Sequence, residues 1–552
     1  MEKKETKRSN FLAQGTILVA ASFIARAIGM IYRIPLTHIL GNTGNGYYST
    51  ANELYSIILM ISSFSLPLAV SRLVAEREYA GEVRNTYRIL VCSLKFAAIS
   101  GGALALLTFL FSGVLTKYVM GVEMAHFALR VLAPAIFLFA LTGVLRGFFQ
   151  GHGNMVPTAI SQIIEQIVNA IVSVVGAGLL LNYGMQLGEK QGNPELGTAL
   201  AAAGGTLGTV VSVGVALIFM IVIYMGYRKS FLRKVRKDTE SRKESDKEIY
   251  RAILVTILPI VLSTLVYNIS TILDQGVFNH ILAGKGFTET QYTAVWGIYT
   301  GKFRVLMNVP LSIASCLAPS VVPALTEAMA NGDLREAGRR TRDTIRYTMV
   351  ITIPCAVGMA ALAEPIMMLI FGSDESLGMA AGIMQSGALL IVLLALSTLT
   401  TGILQGLGEM QAPLRHSAIA LVAHLGFLAV FLIYFEWNIY GVIYANIIFA
   451  LIICLMNAWS IRRTLRYRQE IKKTFLIPVI SSGVMGVAAW LVYTLFHMFA
   501  GNTISTILAI LAGVVVYAVC LITLGGIREQ EIANLPKGEM IVGMLRKCRI
   551  LR

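Results

Sequence analysis

QGHGNMVP, residues 150–157, lies between apolar runs at 128–149 and 156–182, and QGLGEMQAP, residues 405–413, lies between runs at 382–404 and 414–434. Each run is long enough to carry a helix across the roughly 30 Å of a bilayer's hydrocarbon. Each motif is therefore the polar turn of a hairpin between two membrane helices. The pattern Gln-Gly-x-Gly-x-Met followed by proline, met twice in the same kind of turn, reads as an internal duplication. His38-Ile39-Leu40 and His280-Ile281-Leu282, then Pro67 and Pro310, recur in the same order.

Outward from these hairpins, apolar runs also occur near 11–38, 47–71, 89–115, 197–226, 252–281, 292–319, 347–371, 440–461, 474–497 and 503–525. The 552 residues are 56% hydrophobic and 14% charged, whereas soluble domains carry about 25% charge. A β-barrel would alternate polar and apolar residues, which these runs do not. The first run is no signal peptide, since it holds Arg26 and Arg33 and lacks a small-residue cleavage site. The expected fold is an all-α polytopic membrane protein of about 14 transmembrane helices, two parallel six-helix lobes plus two C-terminal helices. The expected divisions are an N-lobe at 1–226, a basic cytoplasmic linker at 227–251, a C-lobe at 252–462, two further helices within 463–526 and a cytoplasmic tail at 527–552. Parallel repeats of this kind place a transporter's substrate site between the lobes.

Charge placement tests the count. Most basic residues fall in alternate loops: the N-terminal tail, Arg72 to Arg88, the turn at Arg146, 228–251, Arg335 to Arg346, Arg415, Arg462 to Lys473 and the tail from Arg528. The opposite loops hold Lys117, Lys190 and Lys285. By the positive-inside rule both termini are cytoplasmic, which in a bacterium means a multi-pass protein of the inner membrane. The formal charge of +16 follows from this alternation and does not call for nucleic acid. Six scattered cysteines without a CxxC pair read as packing residues, so no metal or cofactor is expected. GNTGNG at 41–46 lacks the GK[ST] of a phosphate loop and reads as an outer turn.

Within the runs lie six cations: Arg26, Arg33, Lys95, Arg130, Lys302 and Arg304. A cation at the bilayer centre costs about 2.5–3.5 kcal/mol on insertion scales, so each needs a partner or water. Lys95 and Arg130 are close enough to a membrane face to snorkel. Arg26 and Arg33 share a helix face at seven-residue spacing. Lys302 and Arg304 sit mid-helix. One reading is an ion-pair network with Asp274 and Glu165, to which Glu53 could add a partner for the helix-one arginines. The other is a cationic chamber for an anion such as phosphate, which arginine binds bidentately. His424 reads as a hydrogen-bonded core histidine rather than a proton carrier.

FIARAIGMIYRIPLTHILGNTGNGYY from Phe23, LPLAVSRLVAEREYAGE from Leu66 and LRGFFQGHGNMVPTAISQIIEQIV from Leu145 resemble the polysaccharide-transport branch of the multidrug/oligosaccharidyl-lipid/polysaccharide exporter superfamily. That resemblance runs across nearly the whole chain. It implies helices one, two, seven and eight around a cavity whose basic residues hold the diphosphate of an undecaprenyl-linked sugar. It also implies an apolar groove at the last two helices for the lipid tail. Arg26 and Arg33 match the helix-one arginines of that branch, and Lys302 and Arg304 stand where it puts basic cavity residues. Glu53 and Asp274 join them as expected substrate-site residues through their possible pairing with these cations. An acid that some relatives carry at the start of helix two is absent here, where the chain reads GNGYY.

The expected function is a flippase for a lipid-linked peptidoglycan precursor, working by alternating access with no bond made or broken, hence not an enzyme. Its partners would be a lipid-linked oligosaccharide, membrane lipids and a coupling cation or the membrane potential. A flippase for another polysaccharide unit and a cation-coupled multidrug exporter are the alternatives. The exporter should have an acidic, aromatic cavity.

Overall fold

The computed structural model describes residues 17–18, 20–239, 242–466 and 469–526, and for 64, 259, 260, 262–264, 266 and 267 the backbone. The expected N-terminal tail with the start of the first apolar run (1–16) and the expected cytoplasmic tail at 527–552 lie outside the described residues. Every regular element among the described residues is helical, as hydrocarbon requires of a spanning chain that must satisfy its own backbone.

In chain order the helices are α1 (20–40), α2 (42–79), α3 (Val83–Val119), α4 (Glu123–Gly151), α5 (Val156–Gln191), α6 (Glu195–Lys237), α7 (Asp246–Gly284) and α8 (Glu289–Ala330). There follow α9 (Leu334–Ala361, continued by Ala363–Phe371), α10 (Leu377–Ser386 and Ala388–Gly406), α11 (Gln411–Ile433), α12 (Asn438–Leu465), α13 (472–500) and α14 (502–523). Gly41 (φ 64°) separates α1 from α2 and Gly501 (φ 68°) separates α13 from α14. Eleven described helices are long and apolar enough to cross a membrane, with Arg33–Tyr79 and Lys472–Thr523 each counted once across its glycine and Ala20–Ile31 a further, shorter apolar helix. That agrees with about fourteen spans.

The duplicated motif has the same physical content in both copies. Its first glycine is a close approach: a methyl at Gly151 would lie 2.6 Å from Val74 Cβ of α2, and one at Gly406 would lie 3.1 Å from Leu325 Cβ of α8. Its second glycine turns the chain with positive φ, 77° at Gly153 and 87° at Gly408, where a Cβ is unfavourable. One helical turn earlier, Gly147 meets the Pro67 carbonyl and Gly402 meets Ala318. Small residues let neighbouring backbones approach, the usual basis of helix association in lipid.

Packing divides the chain into two compact units, residues up to Gly301 and residues from Lys302. In the first unit, Leu66, Val70, Val144, Phe148 and Phe231 form the buried core of one end. The basic loops meet there. Arg77 Nε donates to Glu244 Oε1 at 2.6 Å, the Arg84 amide to Asp238 Oδ2 at 2.9 Å, and Asn85 Nδ2 to the Arg242 carbonyl at 2.8 Å. The expected linker is mostly helix. α6 runs on to Lys237 because Tyr227 and Phe231 stack and pack on Phe148 and His152. α7 restarts at once through a Ser245–Glu248 capping box. At the other end, the Met124 amide donates to Glu289 at 3.0 Å, Tyr292 Oη to the Gly121 carbonyl at 2.5 Å and Asn279 Nδ2 to the Met120 carbonyl at 2.7 Å. The loops after α2 and α6 thus meet at one end of this unit, and those after α3 and α7 meet at the other.

In the second unit, Ala314, Leu325, Met349, Leu399 and Ile403 are buried together. His416 Nδ1 donates to Asn457 Oδ1 at 2.7 Å, while Asn457 Nδ2 donates to Thr400 at 3.0 Å and Thr401 at 3.2 Å, joining α10, α11 and α12. The donor role of Nδ1 follows because the asparagine's NH₂ is already spent. α14 leans on α9, where Asn502 Nδ2 donates to the Pro365 carbonyl at 3.2 Å and Tyr517 Oη to the Val350 carbonyl at 2.6 Å, and α13 meets it at Gly486, where a methyl would lie 3.2 Å from Val357 Cγ1.

Candidate functional site: a cationic face and an apolar groove

Of the six expected site residues, Arg26, Arg33, Glu53 and Asp274 belong to the first unit and Lys302 and Arg304 to the second. α1 carries its arginines through a turn at Tyr32, where the Tyr32 amide still donates to the Ile28 carbonyl and the Leu36 amide to the Tyr32 carbonyl, both at 3.2 Å. The helical register, and with it the shared face of Arg26 and Arg33, is preserved. Arg26 is exposed. The Arg33 guanidinium lies 4.5 Å from the centre of the buried Tyr48 ring. A π face worth about 0.5–2 kcal/mol holds a cation without supplying a counter-charge. Glu53 is half-buried on α2, and Asp274 is buried on α7 beside Gln275, whose Nε2 donates to Thr50 Oγ1 at 2.5 Å.

Glu165 does not serve these cations. Its Oε2 accepts from Arg146 at 2.7 Å, and Arg146 Nε also donates to Ser161 at 2.9 Å. Arg146, expected in a solvated turn, is buried in α4. Arg346, likewise placed in a loop, is buried and donates to the Gly526 carbonyl.

In the second unit Lys302 is buried, and its Nζ donates to Asp374 Oδ2 at 2.5 Å and Ser376 Oγ at 2.6 Å. Asp374 in turn accepts the Ser376 amide and hydroxyl. Lys302 is therefore held by an acid that a span-by-span reading of the sequence leaves in a loop. Arg304 is half-buried at the start of the regular part of α8.

Beside these polar groups the second unit has an open apolar cavity of about 700 Å³. Leu306, Val309 and Pro310 of α8, Pro354, Gly358 and Met359 of α9, Met485 and Ala489 of α13, and Ala509, Val514, Tyr517 and Leu521 of α14 line it. Among the described residues no charged side chain lines it. Its size falls within the about 300–1,000 Å³ of ligand cavities, and its chemistry suits a hydrocarbon.

The family "Polysaccharide biosynthesis protein" matches residues 11–329 and the MatE family residues 259–430. The chain belongs to the former family, within the superfamily of multidrug, oligosaccharidyl-lipid and polysaccharide exporters. It is 25% identical over 541 residues to stage V sporulation protein B of Bacillus subtilis (98% of this chain, 99% of the relative). It is 26% identical over 568 residues to the lipid II flippase MurJ of the same organism (98% and 99%). Among solved structures, an inward closed lipid II flippase MurJ superposes with a TM-score of 0.64 at 16% identity, over 92% of this chain and 98% of that one. An inward-facing multidrug MATE transporter gives 0.59 at 19% identity, over 79% and 99%. The protein is a multi-pass membrane transporter, not an enzyme.

Proposed function

We propose that this protein is a flippase carrying an undecaprenyl-diphosphate-linked, lipid II-like cell-wall precursor across the bacterial cytoplasmic membrane by alternating access, with both termini cytoplasmic. The observation that carries the reading is the pairing of chemistries: intramembrane cations for a diphosphate and an uncharged cavity for a polyprenyl tail. Arg26, Arg33, Lys302 and Arg304 bind the diphosphate, with Glu53 and Asp274 the acidic members of the site. Arg33 contributes most because Tyr48 leaves its charge unspent. Lys302 contributes least, since phosphate must displace Asp374. The lobes rock around the loaded head group while the tail stays in lipid and in the α8–α9–α13–α14 cavity.

A cation-coupled multidrug exporter is supported less well. The MatE match ends at residue 430, before the helices that complete the apolar cavity. Depleting the protein and measuring which lipid-linked precursor accumulates on the inner leaflet tests the reading directly. Arg33→Ala and Arg304→Ala should abolish transport at near-normal abundance. Losing one charged hydrogen-bonding partner costs about 1.5–3 kcal/mol, roughly tenfold to a hundredfold in affinity. Folded, fully active Arg33→Ala and Arg304→Ala proteins would overturn it.

A further inference from the structure

α5 places Gln162, Gln166, Asn169 and Ser173 at steps of four, three and four residues, hence on one face. That face meets α1. Ser22 Oγ donates to Gln162 Oε1 at 3.1 Å, a methyl at Gly29 would lie 3.3 Å from Gln166 Oε1, and Asn169 Nδ2 donates to Tyr32 Oη at 3.1 Å.

The two ends of this stripe differ. Asn169 and Ser173 are buried and closed on each other and on Tyr32, since Ser173 Oγ donates to Asn169 Oδ1 at 2.9 Å. Gln162 and Gln166 are only half-buried, and Gln166 makes no side-chain hydrogen bond among the described residues. A carboxamide left unpaired in hydrocarbon costs on the order of 2–7 kcal/mol, so this end faces water or a polar ligand, not lipid. Arg26 agrees: exposed, and flanked along α1 by the two residues that meet Gln162 and Gln166, it too requires water at this depth.

We infer that Gln162 and Gln166 recognise the neutral, hydroxyl- and amide-rich part of the transported head group, alongside the arginines that hold its diphosphate; this rests on the diphosphate reading above. A neutral amide offers one donor group and one acceptor, the complement of a sugar hydroxyl, an acetamido group or a peptide bond. It adds little to a diphosphate that arginine forks already engage. The stripe therefore selects among lipid-linked diphosphates without setting the affinity for the diphosphate itself.

The test uses full-length protein in nanodiscs and two probes, undecaprenyl diphosphate and the same lipid bearing an N-acetylated disaccharide. Gln166→Met, which keeps length and volume, should weaken binding of the sugar-bearing lipid roughly tenfold, as expected for loss of one or two neutral hydrogen bonds. Binding of the bare diphosphate should stay within about twofold, and Gln162→Met should behave alike. If either variant unfolds, the Ala replacement is measured against the same two probes. Equal loss for both probes, or loss for neither, overturns the inference while leaving the diphosphate reading intact. Arg33→Ala should weaken both probes together. If neither lipid binds the wild-type protein, the diphosphate reading falls and takes this inference with it.

Discussion

Arg33 and Arg146 are the same residue type in the same unit, yet their surroundings differ. Arg146 has a full set of partners in Glu165 and Ser161, with both charged side chains largely buried, 8% and 14% exposed. Arg33 has an aromatic face instead of a carboxylate. Removing one member of a buried pair strands the other, at about 3–5 kcal/mol. Arg146→Ala should therefore sharply lower the melting temperature and abundance of the purified protein, and Arg146→Met with Glu165→Leu should recover most of the loss. Arg33→Ala should leave melting nearly unchanged and act on substrate binding. Equal melting of the Arg146→Ala and wild-type proteins would contradict the assignment. None of this was legible from spacing. Glu165 lies nineteen residues from Arg146 and Asp374 seventy-two from Lys302. Those separations carry no periodic signal, and a count of charges per span cannot say which acid faces which base.

At the scale of elements the sequence was far more legible, because hairpin turns and helix starts are local. The QGxGxM motif announced both turns, and the structure explains its two glycines separately, one by contact and one by φ. They should respond differently to substitution. Gly153→Ala and Gly408→Ala meet open space but an unfavourable left-handed backbone, at about 1–2 kcal/mol each. Gly151→Ala places its methyl 2.6 Å from Val74 Cγ1 as well as Cβ and should cost about 1–3 kcal/mol by overpacking, recovered in part by Val74→Ala, which removes Cγ1. If Val74→Ala rescued Gly153→Ala as well, in thermal melts, the distinction would fail. The helical content of the linker was legible only in part. Its basic composition points to solvent, but Phe231 and Tyr227 bury one side of it. Its capping box supplies a pH test. The Ser245 amide donates to Glu248 at 2.7 Å and holds that carboxyl below its ordinary range. A depressed pKa means the cap contributes fully above about pH 4.3 and is lost as the pH falls through the lower folded value. The protection of amides at the start of α7, their exchange rate relative to the intrinsic rate at each pH, should fall on acidification through that window in the wild type. In Glu248→Gln it should change little.

For the whole molecule, the two helices beyond the duplication complete the apolar cavity on which the proposed lipid substrate rests. The sequence marked α13 and α14 as additional and apolar, but a cavity is an absence of atoms, and no run of letters encodes it. It arises here because small residues stand where helices would otherwise fill the space, with Gly358, Ala489, Ala509 and Gly513 all at its wall. If the cavity holds a polyprenyl tail, filling it should discriminate by tail length and not by head group. Val514 and Ile510 line it and are 60% and 41% exposed, so Val514→Trp and Ile510→Trp add bulk to the cavity without forcing a packed core apart. Each CH₂ buried contributes about 0.8 kcal/mol, so displacing even two or three costs on the order of tenfold to a hundredfold in affinity. Binding of an undecaprenyl diphosphate should fall accordingly, while a diphosphate with a single isoprene unit, too short to reach far into the cavity, should bind the variants and the wild type alike. Equal loss for both lipids would mean that the tryptophans distort the cationic site. Unchanged binding of the long lipid would mean that the tail runs elsewhere and that α13 and α14 serve packing alone.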